Sequence, residues 1–178
     1  MLKLAIHDKM QSLKMRSPLM SSKNFLFWLA ALVSLILDRV TKFWVIKRFS
    51  LTDPPETLPL WPGIFHFTYV TNTGAAFSLF SHDGDWLRWL SLIVSLGLIC
   101  FALFGPWLNR WEQAGYGFLL GGAAGNGIDR LVSGRVVDFL DFRLIQFPVF
   151  NLADVFINVG IICLLIAAWG NGSRPSPR

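Results

Sequence analysis

Four aspartates, Asp129, Asp138, Asp141 and Asp154, stand in a stretch (121–154) that lies between two strongly apolar runs. Ionised carboxylates are costly in hydrocarbon, so those kept beside membrane-type segments mark a functional site by default. Asp138 and Asp154 are the candidates for a catalytic pair. Two carboxylates that share a site cannot both ionise easily, so one keeps its proton while the other is charged. The charged one takes a proton from water, and the protonated one donates to a carbonyl oxygen. Such a pair hydrolyses an amide without a metal or a covalent intermediate. The same residue types also build proton relays and structural ion pairs. Spacing alone therefore leaves a peptidase, a proton-coupled transporter and a non-enzymatic scaffold open.

Other chemistries find little support. Cys100 and Cys163 lie inside apolar runs, where a free cysteine behaves as a small hydrophobe. His7, His66 and His82 are scattered, and neither a zinc-ligand spacing nor a His-Glu-x-x-His helix occurs. Ser133 has no evident base beside it, which weighs against a serine peptidase. The glycine-rich run 121–125 lacks a Gly-Lys-Ser/Thr end, so it is no phosphate loop. No metal or cofactor is expected.

These residues have to be positioned by membrane helices. Of the 178 residues, 53% are hydrophobic and only 15% charged, a membrane profile rather than a soluble one. The net charge of +5 is crowded toward the N-terminus, at Lys3, Lys9, Lys14, Arg16 and Lys23, which suits membrane orientation rather than nucleic-acid binding. The apolar run 25–37 that follows leads into Asp38-Arg39 instead of a small-x-small cleavage site, and so reads as an uncleaved first helix. Four spans are expected, at about 24–46, 88–108, 115–130 and 150–170. They make one four-helix domain over 24–170, with a basic tail at 1–23 and a short tail at 171–178. The Lys/Arg distribution places both tails and the polar turn 109–114 on the cytoplasmic side. Segments 47–87 and 131–149 then lie outside.

The outer segments differ from the spans in composition. Prolines 54, 55, 59 and 62 punctuate the first, and within it 64–70 (IFHFTYV) reads as a short strand. Asn72-Thr-Gly74-Ala-Ala-Phe77 follows, a turn with small residues that allow close approach of another backbone. The run 121–125 gives the third helix a face for tight packing. Asp38 and Lys42 share one face of the first helix, and the expectation is an ion pair at the membrane interface. The fold expected is thus a membrane all-α bundle with a small extracytoplasmic β part.

Five blocks in order, Asp38-x-x-x-Lys42, 72–77, Gly121-Gly-Ala-x-Gly-Asn126-x-x-Asp129-Arg130, Val136-Val-Asp138-Phe139 and Phe150-Asn151-x-Ala-Asp154, resemble those of the lipoprotein signal peptidases (signal peptidase II). The resemblance implies an aspartic peptidase of the bacterial inner membrane, which removes the signal peptide just before a diacylglyceryl-modified cysteine. It puts the catalytic pair on Asp138 and Asp154. It also implies that Asn72, Gly74, Asn126, Arg130 and Asn151 line the substrate groove or hold the pair. Asp38, Lys42 and Asp129 match positions assigned to structural ion pairs. The implied partners are a lipidated prolipoprotein, membrane lipid and globomycin-type inhibitors, with no nucleic acid and nothing calling for more than a monomer. The tail before residue 24 is longer than the resemblance requires, and Met10, Met15 and Met20 are alternative starts.

Overall fold

The computed structural model describes residues 23–74, 85–145 and 147–172. The basic tail before Lys23, the part of the 72–77 block after Gly74, and the tail from 173 lie outside them. Among the described residues the order is α1 (Phe25–Arg48), β1 (Thr57–Trp61), β2 (Phe65–Asn72), α2 (Asp85–Phe104), α3 (Arg110–Ser133), β3 (Val136–Phe142) and α4 (Leu152–Gly172). The fold is mainly helical, with an antiparallel sheet in the order β1-β2-β3.

Two of the helices, over Trp86–Phe104 and Leu152–Gly170, are long and apolar enough by composition alone to cross a membrane. The other two carry more charge: Asp38, Arg39 and Lys42 in α1, and Asp129 and Arg130 in α3.

The helix boundaries differ from the expected ones at particular caps. The polar turn at 109–114 is instead the first turn of α3. Asn109 Oδ1 accepts from the backbone N–H of Trp111 (2.9 Å) and Glu112 (3.0 Å), while Glu112 Oε2 accepts from Asn109 N–H (2.8 Å). This capping box satisfies N–H groups that a helix start leaves bare, so polar residues begin the helix rather than interrupt it. At the other end α3 runs past Arg130 to Ser133 and stops at Gly134, whose φ of 72° is a left-handed cap. The edge strand β1 was hidden in the sequence by Pro59, which an edge strand tolerates where its missing N–H is not needed and a register shift follows.

α3 is the central helix, packed against α1, α2 and α4. Its glycines make that possible. Gly117, Gly121 and Gly125 recur every four residues and so share one face, turned to α1. A Cβ on Gly121 would fall on Ser34 Oγ and 2.7 Å from the Ala31 carbonyl oxygen, and one on Gly125 would stand 2.5 Å from Asp38 Oδ2. Gly122 is turned to α4, where a Cβ would lie 2.5 Å from the Ala153 carbonyl oxygen. Close backbone approach through small residues is how helices associate where lipid removes the hydrophobic driving force.

The far end of the bundle is tied by polar side chains. Asn24 Oδ1 accepts from Leu108 N–H (3.1 Å), and its Nδ2 donates to the Ala102 carbonyl (3.3 Å). Lys23 Nζ donates to the Leu103 and Gly105 carbonyls at 3.2 and 2.6 Å, placing a cation at the negative end of α2. The sheet sits over the opposite end of α1. There Val45 and Phe49 pack with Tyr69, Val137, Phe139 and Leu140.

The seam predicts that Gly121→Ala lowers thermal stability in detergent by about 1–3 kcal/mol through overpacking. Gly97→Ala on α2, where a Cβ meets nothing within 4 Å, should be neutral or gain about 0.5–1 kcal/mol from helix propensity. Equal melting temperatures for the two variants would contradict the close α1–α3 contact.

Candidate active site

The deepest part of the site is a ring of charges. Lys42 Nζ lies 3.0 Å from Asp38 Oδ1 and 2.8 Å from Asp129 Oδ2, and Arg39 closes the ring at 2.9 Å to Asp38 Oδ2 and 2.7 Å to Asp129 Oδ1. Two carboxylates and two cations cancel. The Asp38–Lys42 pair expected at the interface is instead sealed inside: the side chains are 0% and 2% exposed. The reason is the glycine face of α3, which lets Asp129 and Asn126 reach α1. Arg39 was not singled out in the sequence, although its place beside Asp38 in a membrane-type helix was a usable sign.

The ring orients the residues next to it. Lys42 donates its third bond to Asn126 Oδ1 (2.8 Å), which also accepts from Asn151 Nδ2 (3.1 Å). An ammonium has donors only, so the amide of Asn126 presents oxygen to Lys42. Its nitrogen is thereby turned to Asp154, donating to Oδ1 at 2.8 Å. A chain of fixed polarity thus runs from Lys42 through Asn126 to one candidate carboxylate.

Asn151 leads to the other. It precedes the first turn of α4, accepts from Asp154 N–H on its Oδ1 (3.1 Å), and gives its own N–H to Asp154 Oδ2 (3.2 Å). This reciprocal cap holds Asp154 at the helix N-terminus, where a carboxylate is favoured. The next N–H, of Ala153, goes to Asp38 Oδ1 at 3.1 Å. Phe150 joins β3 by pairing with Leu140: its carbonyl accepts from Phe139 and Leu140 N–H (2.9 and 2.8 Å), and its N–H reaches Leu140 O (3.0 Å). That bridge brings Asn151 beside Asp138, and Asn151 Nδ2 donates to Asp138 Oδ1 at 2.6 Å.

Asp138 and Asp154, from different elements, are therefore both bonded to Asn151, while Asn126, itself bonded to Asn151, holds Asp154 alone. Burial, reinforced by the neighbouring Asp154 charge, pushes the Asp138 carboxyl up to about 7, while the hydrogen bonds from Asn151 and Asn72 and the charge of Lys42 pull partly back. A cavity of about 450 Å³ opens over the pair. Asn72, Gly74, Asn126 and Arg130 line it with both aspartates, as do the apolar Phe147, Phe150, Val155 and Ile162. Arg130 Nη2 donates to the Gly74 carbonyl (3.2 Å), and Asn72 Oδ1 accepts from Gly74 N–H (2.9 Å).

The structure separates the remaining candidates from this centre. Asp141, three residues from Asp138 on β3, faces the other way and accepts from Thr68 Oγ1 (2.6 Å) and Arg143 Nε (2.8 Å). Among the described residues, Ser133 Oγ meets the backbone carbonyls of Asp129 and Arg135, both at 2.9 Å, and no base. Asn158, also on the cavity wall, was missed. It is a polar amide inside an otherwise largely apolar run, one turn past Asp154, and that position was its sign.

The geometry agrees with what the chain is similar to. A family model described as signal peptidase (SPase) II matches residues 30–170. The chain is 76% identical over 151 residues to the lipoprotein signal peptidase of Cyanothece sp., covering 85% of this chain and 87% of that protein. It is 66% identical over 147 residues to the lipoprotein signal peptidase of Thermosynechococcus vestitus, covering 83% of this chain and 93% of the relative. Among solved structures, a bacterial membrane enzyme determined by the in meso method at 2.3 Å resolution superposes with a TM-score of 0.75 at 29% identity, over 84% of this chain and 91% of that one. With residues of four sequence blocks lining one cavity, the Asp38–Lys42 block bonded behind them, and a match across most of its length, the chain belongs to the signal peptidase II family.

Proposed function

We propose that the protein is an aspartic endopeptidase that removes the signal peptide from diacylglyceryl-modified prolipoproteins, cutting on the N-terminal side of the lipidated cysteine. The observation that carries this reading is the pair Asp138 and Asp154, held by Asn126 and Asn151 in the wall of one cavity. Both oxygens of Asp154 are already held as acceptors, by Asn126 Nδ2 and Asn151 N–H. Asp154 is the base that takes a proton from water. Asp138, with one oxygen bonded to Asn151 and its carboxyl near 7, is the acid that protonates the scissile carbonyl oxygen. Lys42, through Asn126, is a positioning residue for Asp154.

Four spans put both termini on the cytoplasmic side of the bacterial inner membrane and the cavity near its outer face. The charges in α1 and α3 are compatible with that, because Asp38, Arg39, Lys42 and Asp129 pair among themselves. A substrate anchored by its lipid and its signal helix diffuses in the membrane plane, so it meets the pair where the cavity opens. Its backbone has to leave the helix to be cut, and bare polar groups cost several kcal/mol each in lipid. Asn72, Gly74 and Arg130 offer partners for them, while Phe147 and Phe150 suit acyl chains. A proton relay would spread its carboxylates through the depth of the bilayer. Here both lie in the wall of one cavity, which favours hydrolysis over transport.

Reconstitution with a diacylglyceryl-modified precursor tests this. Asp138→Asn and Asp154→Asn are each expected to stay folded and inserted yet lose at least ~10³-fold in turnover, within the range of acid–base catalysis. A precursor with Ser in place of the lipidated Cys is expected not to be cut by wild type. Normal turnover in either variant would refute the pair, and equal cutting of the Ser precursor would refute lipid reading.

A second expectation concerns pH. Asp138 binds its proton more tightly in the folded chain, up to about 7, than in the unfolded one, at about 4. The folded state then holds more protons between those values, so wild-type stability falls as pH rises through that window. Asp138→Asn lacks this loss. Its stability advantage over wild type, read by thermal unfolding, is expected to grow from about pH 5 to about pH 8; a constant difference would contradict the buried acid.

A further inference from the structure

The α4 wall of the cavity carries a stripe of Asp154, Val155, Asn158, Val159 and Ile162, the spacing of one helix face, with Ile157 at its side. Beyond Asp154 its polar member is Asn158. The Nδ2 of Asn158 donates to the Asp154 backbone carbonyl at 2.9 Å. Among the described residues nothing donates to its Oδ1, and Asn158 is exposed. Asn158 lies about 6 Å further along the helix axis than Asp154, and Ile162 about 12 Å. The stripe thus leads away from the reacting pair into the apolar part of α4, with one acceptor waiting on it.

The occupant of that stripe has to answer to the acceptor. An acyl chain has no donor and would leave Oδ1 unmet in a water-poor wall, which is unfavourable. A helical signal peptide keeps its N–H groups bonded internally. A peptide opened for cutting does not, and it extends by about 3.3 Å per residue. At about 6 Å from Asp154, the N–H that meets Asn158 belongs to a residue about two or three before the cut.

We infer that Asn158 is a specificity-determining residue, whose Oδ1 accepts a backbone N–H of the opened signal peptide and so seats the peptide, not the lipid, on the α4 stripe. This rests on the reading of the site as a lipoprotein signal peptidase. Residue 158 stands apart from proton transfer. Its loss is expected in substrate binding, not in the chemical step.

The test uses the purified enzyme in detergent, a diacylglyceryl-modified precursor, and precursors N-methylated at successive residues before the cut. Asn158→Leu, which suits an apolar helix surface, is expected to melt with wild type, raise KM about tenfold, the cost of roughly one hydrogen bond, and leave kcat unchanged. Asn158→Gln, which keeps an amide oxygen, is expected to recover part of the affinity. One N-methyl position, about two or three residues before the cut, should raise KM in wild type and add nothing in Asn158→Leu. Unchanged KM in Asn158→Leu overturns the inference. So does an N-methyl penalty that persists undiminished at every position in that variant, or a KM defect that disappears only when the acyl chains are shortened. Failure of wild type to cut any lipidated precursor would overturn the peptidase reading itself, whereas these KM differences leave that reading standing.

Discussion

Lys42 is the cation on which the geometry of the site depends. Its three donors go to Asp38, Asp129 and Asn126, and each contact has a different consequence. The bonds to the two aspartates, together with Arg39, close a neutral ring that allows four ionised groups to persist inside the bundle. Removing one partner from such a set strands a buried charge and costs about 3–5 kcal/mol. The bond to Asn126 fixes which way that amide points, and hence what Asp154 receives. One ammonium therefore links the stability of the α1–α3 contact to the alignment of a candidate catalytic group.

That arrangement is available only because two helix backbones come very close. Asp38 lies against Gly125, and the same carboxylate receives Ala153 N–H from the start of α4. A side chain at position 125 would push α1 away and break both. The glycines of α3 weaken it as an isolated helix, and the structure offsets this with a capping box at one end, a left-handed glycine at the other and neighbours on three sides. Local weakness and tertiary closeness have the same cause. The sheet plays a comparable part: pairing of Phe150 with β3 sets Asn151 against Asp138 and so joins two parts of the chain that α4 alone would not bring together.

Parts of this were legible in the sequence for identifiable reasons. Apolar runs and charge placement pointed to the helices, and aspartates beside those runs stood out because hydrocarbon makes them costly. β-branched and aromatic residues marked β2. What was not legible depended on neighbours. Asn109 and Glu112 looked like a turn because a capping box is polar by nature. Pro59 concealed β1. The Asp38–Lys42 pair looked interfacial because helix spacing says which residues share a face, not what covers that face; the cover is α3. Asn158 escaped notice because a lone amide in an apolar run has no pattern, and only the cavity wall gives it a context.

Whether Lys42 holds Asn126 so that Asp154 is aligned can be read from the charge-balanced double variant Asp38→Asn/Lys42→Met. One negative and one positive group are removed together, Arg39 and Asp129 remain paired, and an amide oxygen at position 38 can still accept from Ala153. The quantity to measure is turnover of a lipidated precursor by enzyme whose folding and insertion have been verified. A folded protein is expected, with KM near wild type and kcat lowered by roughly 10² or more, the scale of losing an aligned acid–base partner. A folded double variant with wild-type kcat would contradict it.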